Sequence, residues 1–368
     1  MTTQASRSPV NLVRSGPAQY VNRAGILRQA GDYIAPWGDR ALLSGGKRAL
    51  AAAEELLGKS LDQCGIKWRR QLFTGESSSA NIDRIKDEAG SFKANIVIGV
   101  GGGKSLDAAK QAAADLGLPA VCIPTIAATC AASTALSILH YDGGVFQRAV
   151  LHPRNPSLVL VDPEIIARSP GIYLRAGILD SLAKWYEGRS VWPCVKNPDM
   201  QTAAAFQLAR VLYEGHRRYA LEAVRLNAKC RVGNALLQTL DLVILTTGMV
   251  QSLSKGTLFT AIAHSLQNGL TLMEGSHRVL HGLKVGYGIV VQLGVEKCPR
   301  REFADVVSFF RQLGLVPSLK GLNLTFDRDA VLRVAEMAAT NPEMGPLNYT
   351  VNKFVIASAM EKLEKRFG

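Results

Sequence analysis

The stretch Val97-Ile98-Gly99-Val100-Gly101-Gly102-Gly103-Lys104-Ser105-Leu106-Asp107-Ala108-Ala109-Lys110 decides the fold of this chain. Its first residues are apolar and partly β-branched, which predicts a buried strand. Three consecutive glycines end the strand, and an alanine-rich pattern from Ser105 predicts a helix. Glycines at such a turn let an anion approach the backbone, and the start of a helix attracts negative charge. The stretch therefore predicts a phosphate-binding loop rather than a simple tight turn.

Neither of the two common glycine motifs fits this loop. The dinucleotide motif G-x-G-x-x-G needs a glycine at the place of Lys104. The P-loop motif ends correctly at Gly103-Lys104-Ser105, but Ile98 occupies the place of its leading glycine. The spacing alone leaves the phosphate ligand open.

The overall composition indicates a globular protein of two domains. The chain has 368 residues, of which 47% are apolar, enough for sizeable cores. No uninterrupted apolar segment is long enough to cross a membrane, and residues 1–14 lack the apolar core of a signal peptide. The 6 cysteines include no C-x-x-C pair. We therefore expect a cytoplasmic protein with reduced thiols and no membrane partner.

The charge balance raises the question of a nucleic-acid partner. The formal net charge is +13, but the basic residues are dispersed and their tightest groups are short and far apart. No nucleic-acid-binding motif is present. We expect a solvated basic surface or a preference for small anionic ligands, with no nucleic-acid partner.

Alternating strand and helix patterns precede and follow the glycine loop. Strands are predicted at 41–44, 66–73 and 120–123, and helices at 47–57 and 79–88. Such alternation predicts a parallel sheet covered by helices on both faces, with ligands bound beyond the carboxyl ends of the strands.

The pattern changes near Asp162-Pro163-Glu164. Beyond that point helical periods dominate, at 202–213, 258–272, 303–313 and 329–339. We predict an α/β domain over residues 1–165, followed by an all-helical domain over residues 166–368.

Three predicted helices of the second domain each contain a possible metal ligand: Asp180, His264 and His281. Asp180 and His264 lie among apolar neighbours, where an unpaired polar group is costly. A carboxylate and two imidazoles suit Zn²⁺ or Fe²⁺ and leave a position open for substrate. Each residue alone also fits a hydrogen-bonded core position, and their spacing does not bring them together.

The ordered combination of these motifs with Pro124-Thr125-Ile126-Ala127 resembles the metal-dependent (iron-containing) alcohol dehydrogenase superfamily, in its glycerol dehydrogenase branch. The resemblance extends from about residue 40 to the end. It implies a dinucleotide-binding α/β domain, a helical domain and an active site in the cleft between them. It also implies that Asp180, His264 and His281 hold the metal.

The resemblance further implies two sets of cofactor contacts. The pyrophosphate loop corresponds to Gly102, Gly103, Lys104 and Ser105, supported by Asp107. Positions lining the adenosine and nicotinamide portions correspond to Thr125, Thr129 and Tyr141.

Two departures from the branch bear on the substrate. Cys130 occupies the place where glycerol dehydrogenases have an Asp that contacts the polyol, and a thiol is a poor partner for a diol. The segments 125–132 and 182–187 resemble instead bacterial hydroxycarboxylate dehydrogenase A, which reduces 2-oxo acids with NADPH. Gln267 stands where relatives usually have a His one helical turn after the first metal-binding His, so the resemblance does not extend to a proton relay through that position.

Lys184 and the turn at Gly45-Gly46 refine this prediction on physical grounds. Lys184 follows Asp180 by one helical turn, so its ammonium is predicted near a metal-bound substrate, where it can pair with a carboxylate; a lysine reaching out to solvent is the alternative. Gly46 occupies the family's acidic position at the adenosine ribose, and Lys47 and Arg48 follow it. Basic residues accommodate a 2′-phosphate, so we predict a preference for NADP(H) over NAD(H).

Together these observations predict an oxidoreductase that interconverts a 2-oxo acid and a 2-hydroxy acid by hydride transfer, with one divalent metal, Zn²⁺ rather than Fe²⁺, polarising the substrate oxygen. The catalytic residues are predicted to be Asp180, His264, His281 and Lys184, with Cys130 and Lys184 at the substrate. The alternatives are an NAD-dependent glycerol or polyol dehydrogenase, a sugar-phosphate cyclase of the same fold and, from another class, a P-loop NTPase or nucleic-acid-binding protein. We also expect a homo-oligomer.

Overall fold

The structure is a computed structural model that describes residues 13–254 and 259–368. Most of residues 1–14, for which the sequence predicts no signal-peptide core, lie outside these ranges. So does the first residue of the predicted helix 258–272. The strands are β1 (Gln19–Asn22), β2 (Arg40–Gly46), β3 (Lys67–Phe73), β4 (Ile96–Gly101), β5 (Ala120–Pro124), β6 (Leu136–His140), β7 (Phe146–Leu151) and β8 (Leu158–Val161).

The helices of the first half surround this sheet, and those of the second half form a bundle of their own. They are α1 (Ala30–Ile34), α2 (Lys47–Gln63), α3 (Ser79–Phe92), α4 (Gly103–Asp115), α5 (Pro163–Ala167), α6 (Gly171–Val191), α7 (Met200–Ala228), α8 (Asn234–Leu240), α9 (Thr247–Leu253), α10 (Ile262–Leu270), α11 (His281–Val295), α12 (Arg300–Gln312), α13 (Arg328–Ala339) and α14 (Lys353–Phe367). A π-helical segment, Asp241–Thr246, joins α8 to α9.

Six strands form one parallel sheet in the order β1-β8-β5-β4-β2-β3. Side chains alternate between its faces: Leu43 and Ile98 pack with α2, whereas Leu42 and Val97 pack with α3 and α4. The predicted parallel sheet with helices on both faces is therefore confirmed. Among the described residues every strand ends before residue 162, and the rest is helical. The boundary at residue 165 itself stays a prediction.

The order of the strands reverses beside β2. From β2 the chain moves outward to β3, and then returns to place β4 on the other side of β2. Gly45 on β2 is paired with Val100 on β4, so the glycine turns that follow both strands lie next to each other. Such a switch point is where open α/β sheets bind their ligands.

Four strands of the structure, β1, β6, β7 and β8, have no counterpart in the sequence predictions. The four-residue β1 has polar ends, yet it extends the sheet beside β8. Tyr20 Oη and Asn22 Nδ2 donate to Asp241 Oδ1 at 2.9 and 2.7 Å and so tie this edge to the helical half. The antiparallel hairpin β6–β7 lies outside the main sheet and exposes much of β7, so it lacks an apolar signal.

One helical stretch, Asn234–Leu253, is long and apolar enough to cross a membrane by length and composition, with a mean hydropathy of 1.3. Half of that window is buried inside the protein, and a core helix satisfies the same criteria. The stretch packs against α7. The cytoplasmic location stays a prediction.

Candidate active site

Three helices meet so closely that glycine is required at their contacts. A Cβ on Gly282 of α11 would lie 1.9 Å from the carbonyl oxygen of Ala176 on α6. A Cβ on Gly288 of α11 would lie 2.5 Å from the carbonyl oxygen of Ala263 on α10. Gly282 directly follows His281 in the sequence, and Ala263 directly precedes His264. The glycines thus allow α6, α10 and α11 to bring their polar side chains together.

The side chains of Asp180, His264 and His281 converge at this junction. Asp180 Oδ1 lies 3.2 Å from His281 Nε2 and 3.4 Å from His264 Nε2. One ligand atom from each residue lies within 4.8 Å of the others. The His281 side chain is 42% exposed, whereas that of Asp180 is 9% exposed, so the cluster opens on the side of His281. The predicted group of three is therefore a real constellation with an accessible side.

The charges within the cluster reinforce one another. Burial raises the pKa of Asp180, but His281 and His264 outweigh it and hold this pKa well below the usual range of a carboxyl group. Burial alone would lower the pKa of His264, but Glu187 and Asp180 raise it to about 9. The cluster thus contains an ionised carboxylate and, in His264, an imidazole whose protonated form is favoured; a bound cation would take the place of that proton.

Glu187 is a functional candidate that the sequence analysis did not single out. It is fully buried on α6, and its Oε2 accepts a hydrogen bond from His264 Nδ1. Its Oε1 accepts from the backbone N–H groups of Ala261 and His264 at 2.8 and 2.9 Å. The carboxylate therefore caps the start of α10 and directs His264 Nε2 toward Asp180, as a carboxylate behind a metal-binding histidine does.

A sequence signal for Glu187 existed. Asp180, Lys184 and Glu187 have the spacing i, i+4 and i+7, which places all three on one side of a helix. Most of α6 is buried, so three charged residues on one side indicate a polar site within the core.

Lys184 and Cys130 lie beside the metal-ligand cluster. Lys184 is only 7% exposed, and its Nζ donates to Gln251 Oε1 on α9 at 2.9 Å. This placement excludes the alternative of a lysine extended into solvent. Burial and the charge of Asp180 raise the pKa of the Cys130 thiol to about 11, so it is protonated at neutral pH. A neutral thiol and a buried ammonium thus adjoin the cluster.

The glycine loop forms the predicted turn between β4 and α4. Gly101 has a φ of 142°, a value that favours glycine, and Gly102 is the N-cap of α4 without a side-chain cap. A Cβ on Gly102 would lie 2.7 Å from Ile126 Cδ1. No side chain caps the backbone N–H groups in the first turn of α4, so they are available to a phosphate bound at the glycine turn.

The predicted phosphate-loop side chains differ in their environments. Lys104 is 56% exposed at the start of α4 and pairs with Glu76. Ser105 is buried, and its hydroxyl donates to the Val100 carbonyl at 3.1 Å. Asp107 is buried as well: its Oδ2 accepts from Ile138 N and its Oδ1 lies 3.0 Å from Lys110 Nζ. The structure thus gives Asp107 internal contacts that hold the hairpin beside α4, and its supporting role for the cofactor stays a prediction.

The remaining predicted cofactor residues surround the same end of the sheet. The Thr125 N–H donates to the Gly101 carbonyl at 3.1 Å. Thr129 Oγ1 lies 3.5 Å from the point where a Gly103 Cβ would be. Tyr141 is 57% exposed at the tip of the β6–β7 hairpin. Thr125 and Thr129 therefore lie against the loop, whereas the place of Tyr141 in the cofactor site stays a prediction.

The adenosine end of the predicted site lies at the start of α2. Gly46 is the N-cap of α2 and has an ordinary extended backbone, with φ −69° and ψ 154°. Lys47 and Arg48 are exposed, and neither forms an ion pair with a carboxylate among residues 13–254 and 259–368. Two free cations thus adjoin the switch point.

Comparison with known proteins identifies the family. The model of the family described as iron-containing alcohol dehydrogenase matches residues 17–163. Over 336 residues, the chain is 35% identical to a glycerol dehydrogenase from Pseudomonas putida, covering 89% of this chain and 90% of the relative. This chain belongs to the iron-containing alcohol dehydrogenase family.

Further relatives agree with the glycerol dehydrogenase branch of that family. Hydroxycarboxylate dehydrogenase A from Escherichia coli is 36% identical over 286 residues, which cover 77% of this chain and 78% of the relative. The crystal structure of glycerol dehydrogenase from Schizosaccharomyces pombe superposes with a TM-score of 0.87 at 26% identity and covers 96% of this chain and 91% of that one. The predicted two-part fold and the resemblance are both confirmed.

Membership makes this chain an alcohol dehydrogenase-type oxidoreductase. The donor set fits a resident metal, because one carboxylate oxygen and two imidazole nitrogens converge at a partly open position. Gln267, one turn after His264, is buried, and the described metal-ligand cluster does not include it.

Proposed function

We propose that this family member interconverts 2-oxo acids and 2-hydroxy acids and prefers NADP(H). The observation that carries the proposal is the ammonium of Lys184, which is buried one helical turn beyond Asp180. Its Nζ donates to the neutral amide oxygen Gln251 Oε1 at 2.9 Å, and among the described residues no carboxylate forms a direct ion pair with it, although the charge of Glu187 acts on it through space. A substrate carboxylate would supply a direct anionic partner.

The environment of Cys130 supports the same class of substrate. Its thiol is protonated at neutral pH because burial and Asp180 raise its pKa to about 11. A thiol is a weak donor and a weak acceptor, so it offers little to the two hydroxyl groups of a diol. It also adds no negative charge that would repel a carboxylate from Lys184.

Each residue of the site has a defined part in this reaction. Asp180, His264 and His281 hold the cation, and Glu187 fixes the orientation of His264. When bound, the cation supplies Lewis-acid polarisation of the substrate oxygen and the nicotinamide supplies or accepts the hydride. Lys184 binds the carboxylate and so orients the carbon that exchanges the hydride.

Two finer points belong to the proposal. Lys47 and Arg48 favour NADP(H), since free cations beside Gly46 suit a 2′-phosphate. A donor set of two imidazoles and one carboxylate suits Zn²⁺ as a four-coordinate ion with one open position, which favours zinc over iron. A homo-oligomer without nucleic-acid or membrane partners remains part of the proposal.

A substrate panel on metal-analysed protein tests the proposal. Pyruvate, 2-oxobutanoate and 2-oxoglutarate are compared with propanal, glycolaldehyde and glycerol, each with both nicotinamide cofactors. A charge-assisted hydrogen bond of about 1.5–3 kcal/mol corresponds to roughly a 10- to 100-fold higher kcat/KM for the 2-oxo acids. Faster oxidation of glycerol with NAD⁺ than reduction of any 2-oxo acid with NADPH contradicts the proposal.

An NAD-dependent glycerol or polyol dehydrogenase is the second candidate. Glycerol dehydrogenases recur among the relatives, including those from Pseudomonas putida, Escherichia coli and Thermotoga maritima at 35%, 33% and 35% identity. The same panel decides between the two candidates.

A further inference from the structure

A carboxylate lies directly on the lysine of the phosphate loop. Glu76 follows β3 in the chain, and its Oε1 accepts from Lys104 Nζ at 2.5 Å. Lys104 is in the first turn of α4, where the dinucleotide phosphates are proposed to bind. The group that would neutralise the phosphates is thus already neutralised by the protein.

The segment that carries Glu76 is firmly held. Asn81 Nδ2 donates to the carbonyl oxygens of Thr74 and Glu76, both at 2.7 Å. Ser77 Oγ donates to the Ile138 carbonyl at 2.6 Å, and Ser78 Oγ donates to Asp142 Oδ1 at 2.5 Å. These bonds join the turn to its own helix and to the β6–β7 hairpin. The backbone of Glu76 therefore cannot drift away from Lys104.

The ion pair has an unfavourable feature of its own. Glu76 Oε2 is buried and has no hydrogen-bond partner among the described residues. An unsatisfied buried carboxylate oxygen is destabilising, so the contact between Glu76 and Lys104 is weaker than a fully bonded pair. A ligand that takes Lys104 lets this carboxylate move toward water.

We propose that Glu76 competes with the dinucleotide phosphates for Lys104 and thereby sets how tightly the chain holds its cofactor. While Lys104 is paired with Glu76, it cannot bind a phosphate. The apparent affinity for the dinucleotide is therefore the intrinsic affinity multiplied by the fraction of time that Lys104 is unpaired. The carboxylate also repels the phosphates, which carry the same sign of charge. Both effects weaken cofactor binding and speed the release of the oxidised or reduced dinucleotide.

The inference rests on the proposed position of the cofactor and does not depend on the substrate. The test is equilibrium binding to the purified, metal-loaded protein, with NADPH binding monitored by its fluorescence and ADP-ribose binding measured by calorimetry. The variant Glu76→Gln retains the shape of the side chain but removes its charge. We expect both dissociation constants to fall at least threefold, with a smaller gain at high salt because salt screens the repulsion.

Two further variants identify the cause. Glu88→Gln removes the same charge from a comparable ion pair, Arg69 with Glu88 at 2.8 Å, and should leave both dissociation constants unchanged. In a Lys104→Met background, Glu76→Gln should no longer increase the affinity. Adenosine has no phosphate, so Glu76 should not affect its binding. Its dissociation constant, obtained from competition with NADPH and corrected for the altered NADPH affinity, should be the same in the wild-type protein and in Glu76→Gln.

Several outcomes overturn the inference. Unchanged or weaker binding in Glu76→Gln shows that Glu76 does not compete, and a gain that persists in the Lys104→Met background shows that Lys104 is not the point of competition. If Glu76→Gln fails to fold, Glu76→Asp replaces it; its shorter side chain retracts the carboxylate, and unchanged affinity then contradicts the idea. Failure of the wild-type protein to bind either dinucleotide refutes instead the proposed function.

Discussion

The carboxylate of Glu187 is bonded twice to His264, through the backbone N–H at 2.9 Å and through Nδ1 of the ring. One side chain of α6 thus fixes both the first turn of α10 and the orientation of its imidazole. The ring nitrogen that remains, Nε2, lies 3.4 Å from Asp180 Oδ1. The geometry of the metal-ligand cluster therefore depends on a residue that is not itself in it.

The variant Glu187→Gln should weaken metal binding by about 10- to 100-fold. Mutating a carboxylate that accepts a hydrogen bond from a metal-binding histidine typically lowers metal affinity by that factor. The amide can still accept backbone hydrogen bonds, so the protein should remain folded. Metal affinity is measured by competition with a chromogenic chelator. Glu302→Gln, which breaks an ion pair with Arg189, is the matched control. Equal metal affinity in all three proteins contradicts the role of Glu187.

Metal-free protein should lose stability as the pH rises from about 6.5 to about 9. Glu187 and Asp180 raise the pKa of His264 from 6.5 to about 9, so the folded chain keeps a proton that the unfolded chain releases. That stabilisation is complete below pH 6.5 and disappears as the pH passes about 9. Urea unfolding of chelated protein across this range measures it, with His264→Gln as the control that lacks the slope. A wild-type stability that rises across the same range speaks against it.

Lys184→Met should raise KM for 2-oxo acids far more than for neutral aldehydes. The substitution removes the buried charge but retains an unbranched side chain, so packing against α9 changes little. Initial rates with 2-oxobutanoate and propanal are compared in both proteins. As a control, Lys47→Met removes an exposed cation elsewhere and should affect both substrates alike. Equal effects of Lys184→Met on the two substrates eliminate the carboxylate-anchoring role.

Gly46→Asp should shift the preference from NADP(H) toward NAD(H). The backbone at Gly46 is extended, and the nearest atom to an added Cβ would be the Phe73 carbonyl oxygen at 4.0 Å, so the side chain fits. An aspartate there accepts from a ribose 2′-hydroxyl and repels a 2′-phosphate. We expect the NADPH-to-NADH ratio of kcat/KM to fall about tenfold or more, while Gly46→Ala leaves it near the wild-type value. An unchanged ratio in Gly46→Asp excludes this position of the ribose.

The sequence predicted the sheet well because its strands and helices have strong local patterns. The run 97–110 contains an apolar strand, glycines and an alanine-rich helix, and the structure has β4 and α4 there. The hairpin β6–β7 has no such pattern, since its second strand is largely exposed. The short β1 depends on pairing with β8, far away in sequence.

The metal-ligand cluster could be predicted only by resemblance. Asp180, His264 and His281 are separated by long stretches of chain, and no spacing rule joins them. Their meeting depends on backbone contacts at Gly282 and Gly288, which only the folded structure shows. Glu76 was missed for the same reason: its partner Lys104 lies 28 residues away on another element.

Helix α6 has a consequence for how relatives of this protein can diverge. Asp180, Lys184 and Glu187 occupy successive turns of one helix, so the residues proposed to hold the cation and the residue proposed to bind the substrate are separate side chains on the same element. If these proposed roles hold, a mutation at position 184 alters substrate choice while the residues one turn to either side keep their positions. Under the proposal, new specificities are accessible in single evolutionary steps that leave the metal-ligand cluster intact.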